Sequence, residues 1–391
     1  MQDVHLKRLA ANRIKHGCPV LTDLDFYDKA GAQEGDIVRL LDPQKSYVAT
    51  GYLGYENRNS GWVLSWEDEK IDQDFFRQKL QAAKTYRQAF YANSDTNAFR
   101  VFNGDGDGIG GLTIDYYAGY YVISWYNQGL YQFRSKLVPL IASVFQDGLG
   151  FYEKNNFPNA PVKSQHLQGD QAPEPLLVKE NGLTYATYLN DGWMTGIFLD
   201  QRDLRYDLMT RFGPGRRVLN LFSYTGAFSV AASMGGAVHT VNVDVAKRSK
   251  KLTAEQFSLN GLDPNQHEIR VIDVDSYLDY AKKHHLTFGL IVIDPPTFAR
   301  TDAGTWQVEE DYSRVIKDCL SILDRDGILI ASTNAWQVSK DEFYKLIERG
   351  FDQAGCDGLV VEEYGLPQDY RVRETYPESH YLKVFALQKD E

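Results

Sequence analysis

VLNLFSYTGAFSVAASMGGAVHTVNVD, residues 218–244, is the stretch whose reading decides the fold. Val218, Leu219, Leu221 and Phe222 make a short apolar run that meets a turn at Ser223-Tyr224-Thr225-Gly226. A helix of small residues follows (Ala227, Phe228, Val230, Ala231, Ala232, Met234), and Gly235-Gly236 ends it. A second apolar run, Val238 to Val243, closes on Asp244. Strand, glycine turn, helix, strand and acid in that order form the nucleotide-binding half of a doubly wound sheet. Gly226 lets backbone approach a ligand, and Asp244 is placed to accept hydrogen bonds from ribose hydroxyls. The full G-x-G-x-x-G fingerprint for a pyrophosphate is missing. The pattern therefore favours S-adenosylmethionine, which has no phosphates to cradle, over NAD. Many α/β folds share such a turn, so the flanking sequence has to decide.

Toward the C-terminus the β/α alternation continues. A helix is expected over Ala246 to Leu259, a strand over Ile269 to Asp273, a helix near Ser276 to His284 and a strand over Phe288 to Asp294. Then come a helix from Tyr312 to Leu323, a strand from Gly327 to Ser332 and a helix from Lys340 to Gly350. Two β-rich segments, Leu359 to Tyr364 and Tyr381 to Leu387, close the chain. Five βα units and a final strand pair match the seven-strand methyltransferase sheet, in which the last strand inserts antiparallel. The expected fold class is thus α/β, a Rossmann-like seven-strand domain over 191–391, preceded by two smaller domains.

Toward the N-terminus, residues 1–70 open with a basic segment (Lys7, Arg8, Arg13, Lys15, His16). Short β-type runs follow at Asp36 to Leu41, Tyr47 to Leu53 and Gly61 to Trp66, separated by Gly and Asp-Pro. A small β-barrel module is expected. Its basic start and aromatics suit RNA contact, although Tyr52, Trp62 and Trp66 each read better as core. Residues 71–190 read as an α+β unit. It has helical periodicity over Asp72 to Tyr91, strands at Leu112 to Asp115 and Tyr120 to Trp125, and a helix from Tyr131 to Phe145. An irregular loop is expected over Phe151 to Pro175 and a strand over Leu183 to Leu189. Asn103, Asp105, Asp107 and Gly108 imitate the start of a calcium loop, but Ile114 stands where a bidentate Glu is required, so an EF-hand is rejected.

Composition narrows the function. A length of 391 residues calls for two or three domains, and 43% hydrophobic with 24% charged residues is ordinary for a soluble protein. No run of eighteen apolar residues and no signal peptide is seen, so no membrane partner is expected. Three scattered cysteines suit a reducing cytoplasm and suggest neither a disulfide framework nor a metal cluster. A net charge of −11 argues against broad nucleic-acid binding, though not against a local basic face.

Ligands of open α/β sheets bind beyond the carboxyl ends of the strands. Those ends here are Asn220 to Gly226, Asp244, Asp273, Asp294-Pro295-Pro296-Thr297-Phe298 and Ser332-Thr333-Asn334. Asp244 would take a ribose, Asp273 an adenine amino group, and Asp294 would lie near the reacting methyl. Two prolines stiffen the backbone after Asp294 and remove two amide donors, so carbonyls and the Asp oxygens face the pocket as acceptors. They would orient a base edge while Phe298 stacks on its face.

The chain resembles the large-subunit ribosomal RNA methyltransferase family, class I enzymes with a PUA domain, a central EEHEE-type domain and a Rossmann-like catalytic domain. The resemblance rests on RVFNGDGDGIGGLTIDYY (within Phe99 to Tyr117), TGIFLDQR (Thr195 to Arg202), NLFSYTG (Asn220 to Gly226) and IDPPTF (Ile293 to Phe298). It implies S-adenosylmethionine as methyl donor, with Ser223, Tyr224, Thr225, Gly226, Asp244, Asp273 and Asp294 around it. It also implies Arg202 as a partner for the methionine carboxylate or a phosphate, against a plain surface salt bridge. The implied partner is ribosomal RNA; a second copy of the chain is an open alternative.

One branch of that family methylates carbon-5 of cytosine, which needs a thiolate to add at carbon-6. Such members are expected to carry Cys near the end of strand four or five. Here those ends carry Thr297-Phe298 and Ser332-Thr333-Asn334, Cys319 falls within an apolar helix, and Cys18 and Cys356 are distant in sequence. Direct transfer to a base nitrogen of guanine type is therefore favoured, with Asp294, the Pro295 carbonyl, Phe298 and Asn334 at the base. The alternatives are a 5-methylcytosine enzyme, an RNA-binding protein with an inert methyltransferase domain, and a small-molecule methyltransferase.

Overall fold

The decisive segment folds as strand, turn, helix and strand: β1 (Arg217–Leu221), α1 (Ala227–Met234) and β2 (His239–Asp244). The computed structural model describes residues 1–192, 194–301 and 304–390, with only the backbone of 298–301, 304 and 305. The chain divides into two units. One comprises Met1–Lys179, Thr187–Thr195 and Gln368–Ser379; the other comprises Glu180–Ala186, Gly196–Pro367 and His380–Glu391.

The second unit continues from β2 through α2 (Ser249–Leu259), β3 (Glu268–Val271), α3 (Val274–Lys283), β4 (Phe288–Ile293), α4 (Val308–Leu320), β5 (Leu323–Thr333), α5 (Lys340–Ala354), β6 (Gly358–Tyr364) and β7 (Lys383–Lys389). The seven strands lie in the order β3-β2-β1-β4-β5-β7-β6. The five at the β3 side run parallel, and β7 inserts antiparallel beside β5 with Thr333 opposite Lys383. Every residue of β4 is buried, as a central parallel strand covered on both faces requires. One face buries Leu219, Val241, Ile291, Tyr312, Ile316, Cys319 and Phe343 together. Local signals set the helix ends. Glu309, Glu310 and Asp311 fill the first turn of α4, where the helix dipole favours acids. Ser339 and Glu342 close a capping box on α5, and Gly355 ends it at φ 70°.

Three expectations shift. Strand three stops at Val271, and Asp273 is instead the N-cap of α3, its side chain accepting from Ser276 N–H. The pattern Asp-x-x-Ser is a helix-start signal, and it outweighs two more residues of strand. Strand five begins four residues earlier than expected. Beyond the double proline the chain does not stay a loop: Phe298–Thr301 pairs antiparallel with Gly304–Gln307.

The first unit holds two sheets. Val20–Leu21, Asn59–Ser65, Tyr47–Glu56, Ile37–Leu41, Gln2–Leu6 and Phe26–Asp28 form a six-stranded sheet in that order. Tyr52 and Trp62 are core, and Trp66 is half-buried with its indole N–H donating to Ile14 O at 2.6 Å. The second sheet, in order, is Ser164–Gly169, Gly150–Asn155, Tyr120–Trp125, Leu112–Tyr117 and Ala98–Asn103. Its first two strands lie where an irregular loop was expected. Gly150–Asn155 is wholly buried and pairs parallel with Tyr120–Trp125, while Ser164–Gly169 is a polar edge strand whose sequence carries no apolar alternation. Between Asn103 and Leu112 the glycine-rich run forms a 3-10 turn in which Asp107 takes both guanidinium nitrogens of Arg87, at 2.8 and 2.7 Å.

Candidate active site at the strand tips

The turn after β1 departs from ordinary backbone at three residues. Phe222, Tyr224 and Gly226 have φ of 58°, 51° and 76°. Non-glycine residues enter this left-handed region at a cost, and such strain persists where surrounding bonds hold it. Here Ser223 N–H donates to Val243 O at 3.0 Å and Gly226 N–H to Ser223 O at 2.7 Å. The Thr225 hydroxyl donates to Gly196 O at 2.7 Å. Gly226 has no room for a side chain, since an added Cβ would lie 2.6 Å from Thr253 Cγ2.

Asp244, at the tip of β2, ties this turn to the next loop. Its Oδ2 accepts from Tyr224 N–H at 2.8 Å and its Oδ1 from Ala246 N–H at 2.8 Å. Burial lifts its carboxyl above the usual carboxylate range, against the pull of those two amides. Each oxygen keeps a lone pair, which suits a ribose diol. Asn220, on β1 just before the turn, is fully buried; its Nδ2 donates to Ser229 at 3.2 Å and its Oδ1 has no partner. Asn242 Oδ1 and Thr253 Oγ1, beside Gly226, are likewise buried without partners. The structure thus gathers Asn220, Ser223, Tyr224, Thr225, Gly226 and Asp244 at the β1 and β2 tips. Asp273 stands past β3, half-buried, with one oxygen occupied by its own helix cap at 2.9 Å. The Ser276 hydroxyl, and to a lesser degree that backbone N–H, pull its carboxyl down.

Asp294 follows the last residue of β4. Loss of solvent pushes its carboxyl up to about 6; the Ser332 hydroxyl and Arg205 pull down, and Asp200 pushes up. Among the described residues no salt bridge reaches it. Pro295 is buried, Pro296 exposed, and Thr297 donates to Asn334 Oδ1 at 2.7 Å. Asn334 therefore spends its oxygen on the double-proline corner and presents its amide to solvent. The side chain of Phe298 lies outside the described residues. The tips of β4 and β5 are pinned from below by Tyr312, whose hydroxyl is 3.1 Å from Ile293 O and 2.7 Å from Ser332 O. Lys383 donates to Ala335 O at 2.7 Å and holds the loop after β5; burial pushes its ammonium down to about 8.

Arg202 opens a short helix, Arg202–Asp207, and is buried rather than on the surface, with Asp203 3.8 Å away. The same helix is anchored by Arg205, which bonds both oxygens of Glu180 at 2.5 and 2.8 Å and Phe198 O at 2.6 Å. One residue that sequence reasoning passed over stands beside them. Gln201 is 5% exposed, and its Nε2 donates to Asp294 Oδ1 at 3.2 Å and Ser332 Oγ at 2.9 Å. Its signal in the sequence is its place in TGIFLDQR, next to Arg202. No cysteine thiol meets the β4 and β5 tips among the described residues. Cys319 is fully buried inside α4 with its thiol pushed well up, Cys356 follows α5, and Cys18 is in the first unit.

Comparisons with known proteins identify the family. A model for S-adenosylmethionine-dependent methyltransferases matches residues 159–361, and one for PUA-like domains matches residues 4–66. A Bacillus subtilis (strain 168) protein with the provisional name ribosomal RNA large subunit methyltransferase YwbD is 42% identical over 395 residues, covering 100% of each chain. Ribosomal RNA large subunit methyltransferase I of Klebsiella pneumoniae (strain 342) is 29% identical over 363 residues, covering 91% of this chain and 90% of its own. SMU.776, a provisionally named methyltransferase solved in complex with SAH, superposes with a TM-score of 0.94 at 40% identity, over 99% of this chain and 100% of that one.

Proposed function

The chain belongs to the S-adenosylmethionine-dependent large-subunit ribosomal RNA methyltransferase family, and on that premise we propose that it methylates a base nitrogen of large-subunit ribosomal RNA. S-adenosylmethionine supplies an electrophilic methyl group on a sulfonium. The β1 and β2 tips fit its nucleoside. Asp244 offers two fixed acceptors to the ribose, the strained turn brings backbone close, and Asp273 keeps one oxygen for the adenine amino group. Arg202 meets the carboxylate end.

At the β4 and β5 tips, Asp294 and the Pro295 carbonyl accept N–H bonds from the target base, with Phe298 as the stacking surface and Asn334 at the rim. The base nitrogen's lone pair forms the new bond to the methyl carbon as the carbon–sulfur bond breaks, and its electron pair goes to sulfur. A nitrogen that carried a proton loses it to Asp294 or to water. Alignment and polarity suffice for this transfer, without a covalent enzyme intermediate. The observation that carries the nitrogen reading is the tip chemistry itself: a desolvated carboxyl that, among the described residues, no salt bridge reaches and no thiol accompanies.

Mass spectrometry of ribosomal RNA nucleosides from cells with and without this chain tests the reading. A missing methylguanine supports it, and a missing 5-methylcytosine overturns the nitrogen preference. Acting on ribosomal RNA, the protein would work in the cytoplasm.

A further inference from the structure

Gln201 has no part in the proposed function. Its amide sits between Asp294 Oδ1, at 3.2 Å, and Ser332 Oγ, at 2.9 Å, and is 5% exposed. Both bonds are donated by Nε2. The other half of the same amide, Oε1, is buried and has no hydrogen-bond partner. A buried carbonyl left unpaired is costly, and at a strand tip that cost has an account if a ligand completes the bond. The opposite amide orientation would aim an oxygen at a carboxylate, so the assignment follows from the chemistry of Asp294.

The place of this acceptor decides what it pairs with. In the order β3-β2-β1-β4-β5-β7-β6, the strained turn and Asp244 stand at β1 and β2. Gln201 bonds the tips of β4 and β5, on the other side of β1, where the base is held rather than the nucleoside of the donor.

We propose that Gln201 is the positioning residue of Asp294 and a contact for the target base: Nε2 locks one Asp294 oxygen and Ser332, and Oε1 accepts an N–H of the base edge. This rests on the base-methyltransferase reading above and deepens it. Asp294 is then held by Nε2 on Oδ1 and by the Ser332 hydroxyl, and its remaining lone pairs accept from the base. The base therefore meets two acceptors of fixed direction, one anionic and one neutral. Gln201 directly precedes the helix Arg202–Asp207, which Arg205 ties to Glu180 and to Phe198 O. Donation from Nε2 also favours ionised Asp294. The groups that bear on that carboxyl are the Ser332 hydroxyl, which also donates to it and is itself held by Nε2, and the charged or titratable Asp200, Arg205 and Tyr312.

The test uses the full chain with ribosomal RNA as substrate and S-adenosylmethionine as titrant. Gln201→Leu removes both halves of the amide, and Gln201→Glu keeps acceptors but removes the donor. The expected result for Gln201→Leu is a fall in kcat of roughly 10–100-fold, with the affinity for S-adenosylmethionine, read by calorimetry, within about threefold. The acid limb of the pH–rate profile should move to higher pH. In Gln201→Glu it should move further, because two adjacent carboxylates share a proton. Parent kcat with an unmoved limb in Gln201→Leu overturns the proposal. Tenfold weaker binding of S-adenosylmethionine with an unmoved limb also overturns it, since Oε1 would then serve the methionine ammonium. Should Gln201→Leu fail to fold, Gln201→Glu and Gln201→Asn decide by the same limb. The wild-type product is identified separately. If it is methylcytosine, the nitrogen reading fails, while the limb shift still judges the hold of Gln201 on Asp294.

Discussion

Two glycine-bearing turns at strand ends look alike in sequence and differ in what their polar atoms do. In the run 104–111 the glycines exist for packing. A Cβ on Gly106 would collide with Arg371 O, one on Gly110 with Trp62, and one on Gly111 with Asn127 and the Tyr52 hydroxyl. Its buried acid is saturated: Asp107 takes two bonds from Arg87 and one from Asn103 N–H at 2.6 Å. In the turn 222–226, Phe222 and Tyr224 hold left-handed backbone, and Asn242 Oδ1 and Thr253 Oγ1 beside it lack partners. Asp294, at the tip of β4, is desolvated, and among the described residues no salt bridge reaches it. The difference teaches that a turn with satisfied groups is architecture, whereas strain and unpaired acceptors gathered at strand tips mark a site built for something else to complete.

The contrast can be broken most severely at the two acids. Asp294→Ala should lower methyl transfer by roughly 10²–10⁴-fold while leaving S-adenosylmethionine binding largely intact in a calorimetric titration; transfer at the parent rate would remove its role. Asp107→Asn strands Arg87 in the core. It should cost about 3–5 kcal/mol in urea unfolding, with kcat per folded molecule unchanged.

A finer contrast lies in pH. The folded-state pKa of Asp294 is raised to about 6, so its stabilising contribution is present below its unfolded value and lost as pH rises through about 6. Asp294→Asn should therefore unfold later than the parent at pH 8, by about 2–3 kcal/mol, while inactive. Equal stability at pH 8 would show that the carboxyl is better solvated than its surroundings suggest. The first unit has its own exception to saturation. Glu56 has a buried Oε2 without a partner, and burial pushes its carboxyl up to about 7. Its stabilising contribution is likewise lost as pH rises through about 7, so Glu56→Gln should gain about 2 kcal/mol at pH 8. Activity at saturating substrate should not move, and a loss of kcat would break the division between the two turns. Smallest is Asp244→Ala, which should weaken S-adenosylmethionine by roughly tenfold, read as a higher dissociation constant with kcat retained.

Much of the second unit was legible because apolar runs of strand length alternate with helical periodicity. β2 ends on Asp244 as its pattern implied, and the buried run of β4 leads into the double proline. The placement of Asp273 at a strand end was misjudged because a helix cap and a strand-end acid use the same residue type. Ser164–Gly169 was missed because a polar edge strand is specified by its neighbour and not by its own composition. The membership of Gln368–Ser379 in the first unit was illegible. Arg87 binds Asp369 O at 2.9 and 2.7 Å across 282 residues of chain, and no local pattern announces such a bond.

The order of residues alone determined most strands and helices of the second unit, the acids Asp244 and Asp294 that close or follow apolar runs, and the lack of a cysteine in the segments just after β4 and β5, because periodicity and residue chemistry are local properties. Only the tertiary structure decided which acids are saturated and which stand unpaired, that Arg202 is buried, and that Gln201 reaches both strand tips. Those depend on desolvation and hydrogen bonding between residues far apart in the chain, which exist only once the sheet has closed around them.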